Sequence, residues 1–336
     1  MSGMKSGLTA MAMMVLCGTA ATAAPRVVTS IQPVHSLAAA VMEGVGEPYL
    51  LVPPGASPHA YALKPSDARA LSGADLVFWI GPAISTFLQK PLAELAGDAE
   101  TVTLTDAPGI HLLPVREGGA FEAHDHDHGH EDGHDHEGED DHADEHGHDH
   151  EKAHDEDHGH DDRPEHAEAH IWLETGNARA MARAMAEHLS EADPENAARY
   201  RANAEALDAR LAALAEELHA VLEPVEGRPF IVFHDAWAHF EREFHLEAVG
   251  SITVSPEQRP GARRLSRLKS RIRDLGAVCV FSEPQFDDSL IASITEGTDA
   301  RTGAADPLGA DIPAGPGHYE AMMRRAAHAF RDCLDG

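Results

Sequence analysis

The stretch RVVTSIQPVHSLAAAVMEGVGEPYLLVPPGASPHAYALKPSDARALSGADLVFWIGP, residues 26–82, alternates between two periodicities. RVVTSIQ, PYLLVP and DLVFWIG are short apolar or β-branched runs that read as strands. PVHSLAAAVME and PSDARALSGA, between them, read as helices. Strands alternating with helices build a parallel sheet with helices packed on it. The alternation continues through PAISTFLQKPLAELA and TVTLTD, stops, and resumes further on. There FIVFHD, LEAVGSIT, AVCVFSEP and the weaker ARTGAAD are strand candidates, with RRLSRLKSRIRDLG and PGHYEAMMRRAAHAFRDC as helices among them. The expected fold class is therefore α/β, in two lobes, each a mainly parallel sheet flanked by helices.

A long helix is expected between the lobes. Tyr200, Ala204, Leu207, Leu211, Leu214, Leu218 and Val221 recur at four- and three-residue spacings. Asp193-Pro194 offers an N-cap followed by a first-turn proline, and Pro224 marks the end. Roughly 30 residues at about 1.5 Å each give a rigid rod of about 45 Å, enough to run along both halves. The competing use of the stripe is a coiled-coil dimer seam, which its alanine content and few heptads disfavour. The organisation that follows is a leader over 1–23, a first lobe over 24–193, a linking helix over 194–222 and a second lobe over 223–336.

The gap in the pattern, within the first lobe, is a His/Asp/Glu-rich loop over 117–167. Its core, HDHDHGHEDGHDHEGEDDHADEHGHDHEKAHDEDHGH, spans His124 to His160. Between Glu122 and Glu168 lie 21 acidic residues against Lys152 and Arg163, a balance of −19 within a chain of net charge −31. The acidity is thus mostly local. The net negative charge argues against nucleic acid and anionic membrane surfaces and suits a cation ligand. A segment so poor in apolar side chains does not offset its ordering entropy, so a disordered loop is expected without metal. The imidazoles of His124, His126, His128, His130, His134, His136, His142, His146, His148, His150, His154, His158 and His160, interleaved with carboxylates, offer many loose sites for borderline cations. The bland alternative is an acidic linker that binds metal incidentally.

The first residues read as an export signal. Lys5 precedes an apolar run, Leu8 to Leu16, that is too short for a membrane span, and Ala21 and Ala23 form an A-x-A cleavage pattern. Bulky Leu16 before Cys17 argues against a lipid anchor, so Cys17 leaves with the leader. An exported, periplasmic protein is expected. The remaining pair, Cys279 and Cys333, reads as a disulfide in an oxidising compartment, with two separate buried thiols as the alternative.

A selective site needs histidines on rigid scaffolding. His59, in GASPHAY, lies in a turn after a strand; His170 opens HIWLE where order resumes after the loop; His234 ends the strand FIVF. Strand ends of a parallel sheet point into the crevice where such folds bind. His188, His219 and His328 fall within helical patterns and read as solvated face residues, while His239 and His245 could support ligands from behind.

LLVPPGASPHAYALKPSDARALSGADLVFWIGP, HIWLE, FIVFHDAWAHFEREF, SITVSPEQRPGARRL, VCVFSEPQF and ADPLGADI together resemble the zinc-specific, ZnuA-type solute-binding proteins of bacterial ABC importers, within the cluster A-I family. The resemblance covers nearly all of the chain after the leader. It implies a monomer that captures Zn2+ as its transported ligand and delivers it to an ABC transporter membrane permease. It implies His59, His170 and His234 as the metal ligands, a Cys279–Cys333 disulfide, and two lobes joined by a rigid helix. Some zinc members carry Glu before the first ligand, where this chain has Pro58. The fourth position is then water or a carboxylate, with Asp306 in ADPLG the candidate, Asp299 a weaker one, and Glu283 a supporting residue. Manganese relatives have a carboxylate at the third ligand position; three imidazoles suit zinc instead. The other readings are a manganese or other transition-metal carrier and a stand-alone zinc buffer. A zinc hydrolase is disfavoured because the two H-E-x-x-H matches, His130–His134 and His150–His154, fall in the low-complexity acidic tract rather than in a helix pattern, and no Ser or Cys nucleophile motif is evident.

Overall fold

The computed structural model describes residues 24–116, 121, 167–253, 260–276, 278–286 and 289–336. The leader over 1–23 and the fourteen histidines of the acidic loop, His166 included, lie outside them. The first half runs β1 (Val27–Thr29), α1 (Gln32–Val41), β2 (Tyr49–Leu50), α2 (Pro65–Ser72), β3 (Leu76–Trp79), α3 (Gln89–Leu95) and β4 (Glu100–Thr103). A two-stranded antiparallel ladder follows, β5 (Leu113–Pro114) with β6 (Ala167–Glu168), and then α4 (Thr175–Ala192) and α5 (Ala197–Leu222). The second half contains β7 (Pro229–His234), α6 (Ala238–Glu243), β8 (Glu247–Thr253), α7 (Ala262–Leu275), β9 (Cys279–Ser282), α8 (Ser289–Thr295), β10 (Arg301–Ala304) and α9 (His318–Asp335).

Both four-stranded sheets are parallel, with orders β2-β1-β3-β4 and β10-β9-β7-β8. In each, the first strand has the second on one side and the third on the other, so the chain reverses direction across the sheet at β1 and at β7. That switch point opens the crevice in which such sheets bind ligands.

The central strands β1, β3, β7 and β9 are buried on both faces, which is why they read as unbroken apolar runs. Successive side chains divide between faces. Val27, Leu76 and Phe78 point to one core, Val28, Val77 and Trp79 to another. In the second sheet Phe230 and Val232 join the first of these cores, whereas Ile231 and Phe233 pack in a third. The inner faces of both sheets, with residues of α1, α4, α5 and α9, therefore share one continuous apolar core, and each outer face has its own. Three buried hydrogen bonds tie the halves further. Trp172 Nε1 donates to Pro307 O at 2.8 Å, Tyr319 Oη to Trp172 O at 2.8 Å, and Gln32 Nε2 to Ile312 O at 3.3 Å.

The spine is α5, 26 residues and about 39 Å long at about 1.5 Å per residue. It packs on α4, α1 and α9, so its apolar stripe is consumed within the chain rather than in a coiled-coil seam. The helix begins later than the sequence suggests. Asp193 closes α4, its N–H donating to Leu189 O at 2.9 Å, and its carboxylate accepts from Asn196 Nδ2 (2.7 Å) and Tyr200 Oη (2.8 Å). Its side chain is thus committed to a helix-to-helix corner, and Asn196 takes the N-cap position. At the other end Leu222 is fully buried in the core, and Val221 packs half-buried against it.

Cys279 of β9 and Cys333 of α9 form a disulfide across 54 positions, with Cα atoms 6.0 Å apart. The neighbouring strand makes room: a Cβ on Gly303 of β10 would stand 2.8 Å from Phe281 Cε1 and 3.1 Å from Cys333 Sγ. Replacing both cysteines by serine is expected to lower the unfolding free energy by about 4 kcal/mol in the chain-entropy account. Urea unfolding of metal-free protein measures it.

Candidate metal centre

His59, His170 and His234 come together from three different elements. His59 sits on the loop after β2, past the Pro53-Pro54-Gly55 turn, where Gly55 has φ 78. Its backbone N–H donates to Ser57 Oγ at 3.3 Å. His170 links β6 to a single 3-10 turn, Ile171–Leu173, and His234 is the last residue of β7. One ring nitrogen from each lies within 4.8 Å of the others. The ring centroids are 5.6, 5.7 and 5.1 Å apart.

Carboxylates orient two of the rings. Glu168 Oε1 meets His170 Nδ1 and also accepts the His170 backbone N–H at 3.0 Å. Glu283 Oε1 lies 2.5 Å from His234 Nδ1 and 3.3 Å from the His234 backbone nitrogen. With each Nδ1–H donated to a carboxylate, each Nε2 is left as a bare lone pair. Those two atoms face one another at 3.3 Å. The edge of a tetrahedron whose ligand bonds are about 2.0–2.1 Å is about 3.3–3.4 Å. The enclosed space is about 10 Å3, room for one water-sized particle. It is lined by Ser57, Pro58, Trp172, Gln285, Phe286, Pro307 and Leu308 besides the histidines and Glu283.

Burial, reinforced by the neighbouring His170 and His234, pulls the His59 ring down to about 2. It is a neutral donor at any ordinary pH. Burial pushes His234 the same way, but the Glu283 carboxylate reverses the effect and leaves it raised. Glu168 is fully enclosed, which favours its neutral acid, yet His170 holds it below the usual carboxylate range.

Asp306 is not among the converging donors. Its carboxylate accepts from Gln285 Nε2 (2.7 Å) and from the backbone N–H groups of Leu308 (2.9 Å) and Ala310 (2.6 Å). It shapes the loop that puts Pro307 and Leu308 against the cavity instead of offering an oxygen to it. Asp299 is exposed and does not line the cavity. His245 occupies the turn between α6 and β8 at φ 54, its ring 6.0 Å from that of His219, and is not a cavity residue either. The sequence reading missed Glu168. Its signal was there in the i, i+2 spacing of AEAH, hidden among twenty other acidic residues.

The neighbouring strap is fastened by Arg116, next to the start of the acidic loop. Its guanidinium bonds Asp235, adjacent to His234, and both oxygens of Glu241, at 2.7 and 2.9 Å.

With the fold and this centre in hand, likeness to known proteins becomes informative. The chain matches the family described as "Zinc-uptake complex component A periplasmic" over residues 27–333. It is 50% identical over 310 residues to the high-affinity zinc uptake system protein ZnuA of Brucella abortus (strain 2308), covering 92% of this chain and 91% of that one. To the protein of the same name from Yersinia pestis it is 36% identical over 312 residues, 93% and 92% of the two chains. Among solved structures, a zinc-bound deletion mutant of ZnuA superposes with a TM-score of 0.69 at 25% identity, covering 92% of this chain and 98% of that one. A Mn2+ complex of FpvC from Pseudomonas aeruginosa shares the fold with a TM-score of 0.71 at 19% identity, over 93% and 99%. The chain belongs to the family of periplasmic zinc-uptake components. It is the zinc-binding part of a zinc uptake system.

Arg116→Ala would leave the Asp235 and Glu241 carboxylates facing each other. With 25% of the Arg116 side chain exposed, the expected loss is about 2–3 kcal/mol, below the range of about 3–5 for a fully buried pair. Urea unfolding of the metal-free protein reads it.

Proposed function

We propose that His59, His170 and His234 hold one Zn2+ between the lobes, for delivery to the membrane permease of an ABC importer. The observation that carries the reading is the pair of carboxylate-backed imidazoles whose Nε2 lone pairs face each other at 3.3 Å. Two lone pairs at that distance need a proton or a metal ion between them, and the separation suits tetrahedral zinc. Three nitrogens as the converging donors, with Glu168 and Glu283 engaged on the far sides of two of the rings, favour zinc over manganese. Water completes the coordination, because Asp306 is engaged elsewhere and Pro58 offers no donor. The leader over 1–23 carries the chain to the periplasm. The resident site is a carrier's, and no nucleophile or general base is required of it.

The acidic loop collects zinc and the rigid site delivers it. Ligands fixed before binding cost less to order, so the three-histidine centre outcompetes each loop site. Many weak sites beside a strong one raise the local supply. Their imidazoles, with an ordinary pKa of about 6.5, empty as pH falls below about 6.

Alanine at His59, His170 or His234 is expected to abolish tight binding of the single strong equivalent, read by competition with a zinc chelator. Unchanged tight binding in all three variants would refute the assignment. Glu283→Gln, which keeps shape but weakens the grip on His234, should lower zinc affinity about 10–100-fold. Deleting Glu122 to Glu165 should remove the weak equivalents, leave the tight one, and slow loading only when zinc is scarce. Loss of the tight equivalent on deletion would put the principal site in the loop.

A further inference from the structure

A second group of donors lies on the far side of Glu168. His239 of α6 is fully buried, and its Nδ1 is 3.0 Å from Glu174 Oε2. His111 Nδ1 approaches the same oxygen at 3.5 Å. These three ligand atoms lie within 4.8 Å of one another, and the two rings stand nearly perpendicular at 6.3 Å. We propose that His111, Glu174 and His239 form a second zinc site, open to solvent through His111.

The two buried side chains and the His111 backbone are held in place before any metal arrives. The Asn177 side chain grips the His111 main chain from both sides, accepting its N–H at 2.7 Å and donating to its carbonyl at 3.0 Å. His239 Nε2 faces the Glu168 carbonyl at 3.3 Å and Nδ1 faces Glu174 at 3.0 Å, so in the tautomer with the proton on Nε2 the Nδ1 lone pair points at Glu174. That lone pair then meets a carboxylate oxygen with nothing between them. A proton or a metal ion must complete the contact. The Asn177 amide, 3.5 Å from both His239 Nδ1 and Glu174 Oε2, is too distant to complete it. Two imidazoles and one carboxylate, with water completing the shell, suit zinc.

The site must be the weaker of the two. Arg242 already binds the other oxygen of Glu174, so part of the carboxylate charge is spent on it. The His111 side chain is 46% exposed, so ordering it costs entropy. Weakness with access to solvent fits a staging position. Glu168 joins the two sites: one oxygen holds His170, and the other lies 3.6 Å from His239 Nε2. The β5–β6 ladder pairs Leu113 with Glu168, which brings both roots of the acidic loop to this spot. The staging role rests on the reading of the three-histidine centre as the delivered site; the metal site itself does not.

Ring 15N resonances of the full-length chain, followed while zinc is added to metal-free protein, test the two separately. The first equivalent should move His59, His170 and His234, and failure there strikes only the principal site. Further zinc should shift Nδ1 of His239 and His111. In His111→Ala, a change at an exposed loop position, shifting His239 should need at least tenfold more free zinc. His239 resonances that stay put in zinc excess, while the loop histidines saturate, overturn the second site. Stopped-flow loading from limiting zinc should be severalfold slower in His111→Ala with the tight affinity unchanged; an unchanged rate overturns the staging role.

Discussion

The centre depends on two short contacts, Glu168 to His170 and Glu283 to His234. Each fixes a proton on Nδ1 and so bares an Nε2. An imidazole free to change tautomer would relieve the repulsion between the two rings by turning one N–H toward the other. These cannot, because the carboxylates are buried and a second anchor, the ligand's own backbone N–H, holds each carboxylate in register. The contact between the two Nε2 atoms is completed by a proton or by a metal ion lying between them. His59 differs: among the described residues no carboxylate backs its ring, and its neutrality comes from burial and the neighbouring rings.

The scaffold explains how acid and imidazole meet. β7 and β9 are parallel neighbours, so the residue after β9, Glu283, reaches the same sheet edge as His234 at the end of β7. Glu168 and His170 are brought together by chain continuity, two residues apart, at the end of the β5–β6 ladder. One pair is assembled by topology and the other by local sequence. They converge because both sheets turn their switch points toward a common core.

That difference governs what could be read beforehand. Strands and helices were legible because parallel strands buried on both faces show as apolar runs. His59, His170 and His234 stood out as histidines at element ends. Glu168 was invisible, since its composition matched the acidic loop beside it. Asp306 looked like a donor because an acidic residue stands there in relatives, but three hydrogen bonds that only a folded loop can make already use its oxygens. The start of α5 was misplaced for a similar reason: Asp193 resembles a cap, and its tertiary bond to Tyr200 decides otherwise. Helix α4 passed unread because its alanines give a weak stripe, although they pack closely along α5.

The apolar core that runs unbroken through both sheets and α5 has a bearing on how a transporter tells a full carrier from an empty one. Proteins that clap shut on their cargo announce it by changing outline. Here a swing of the lobes would tear the shared core and the bonds from Trp172, Tyr319 and Gln32. The message must then be written in small print: the posture of the proline-rich loop bearing His59, and the cancellation of charge at the mouth of the cleft. A partner that reads such a message would need a close-fitting surface against that mouth.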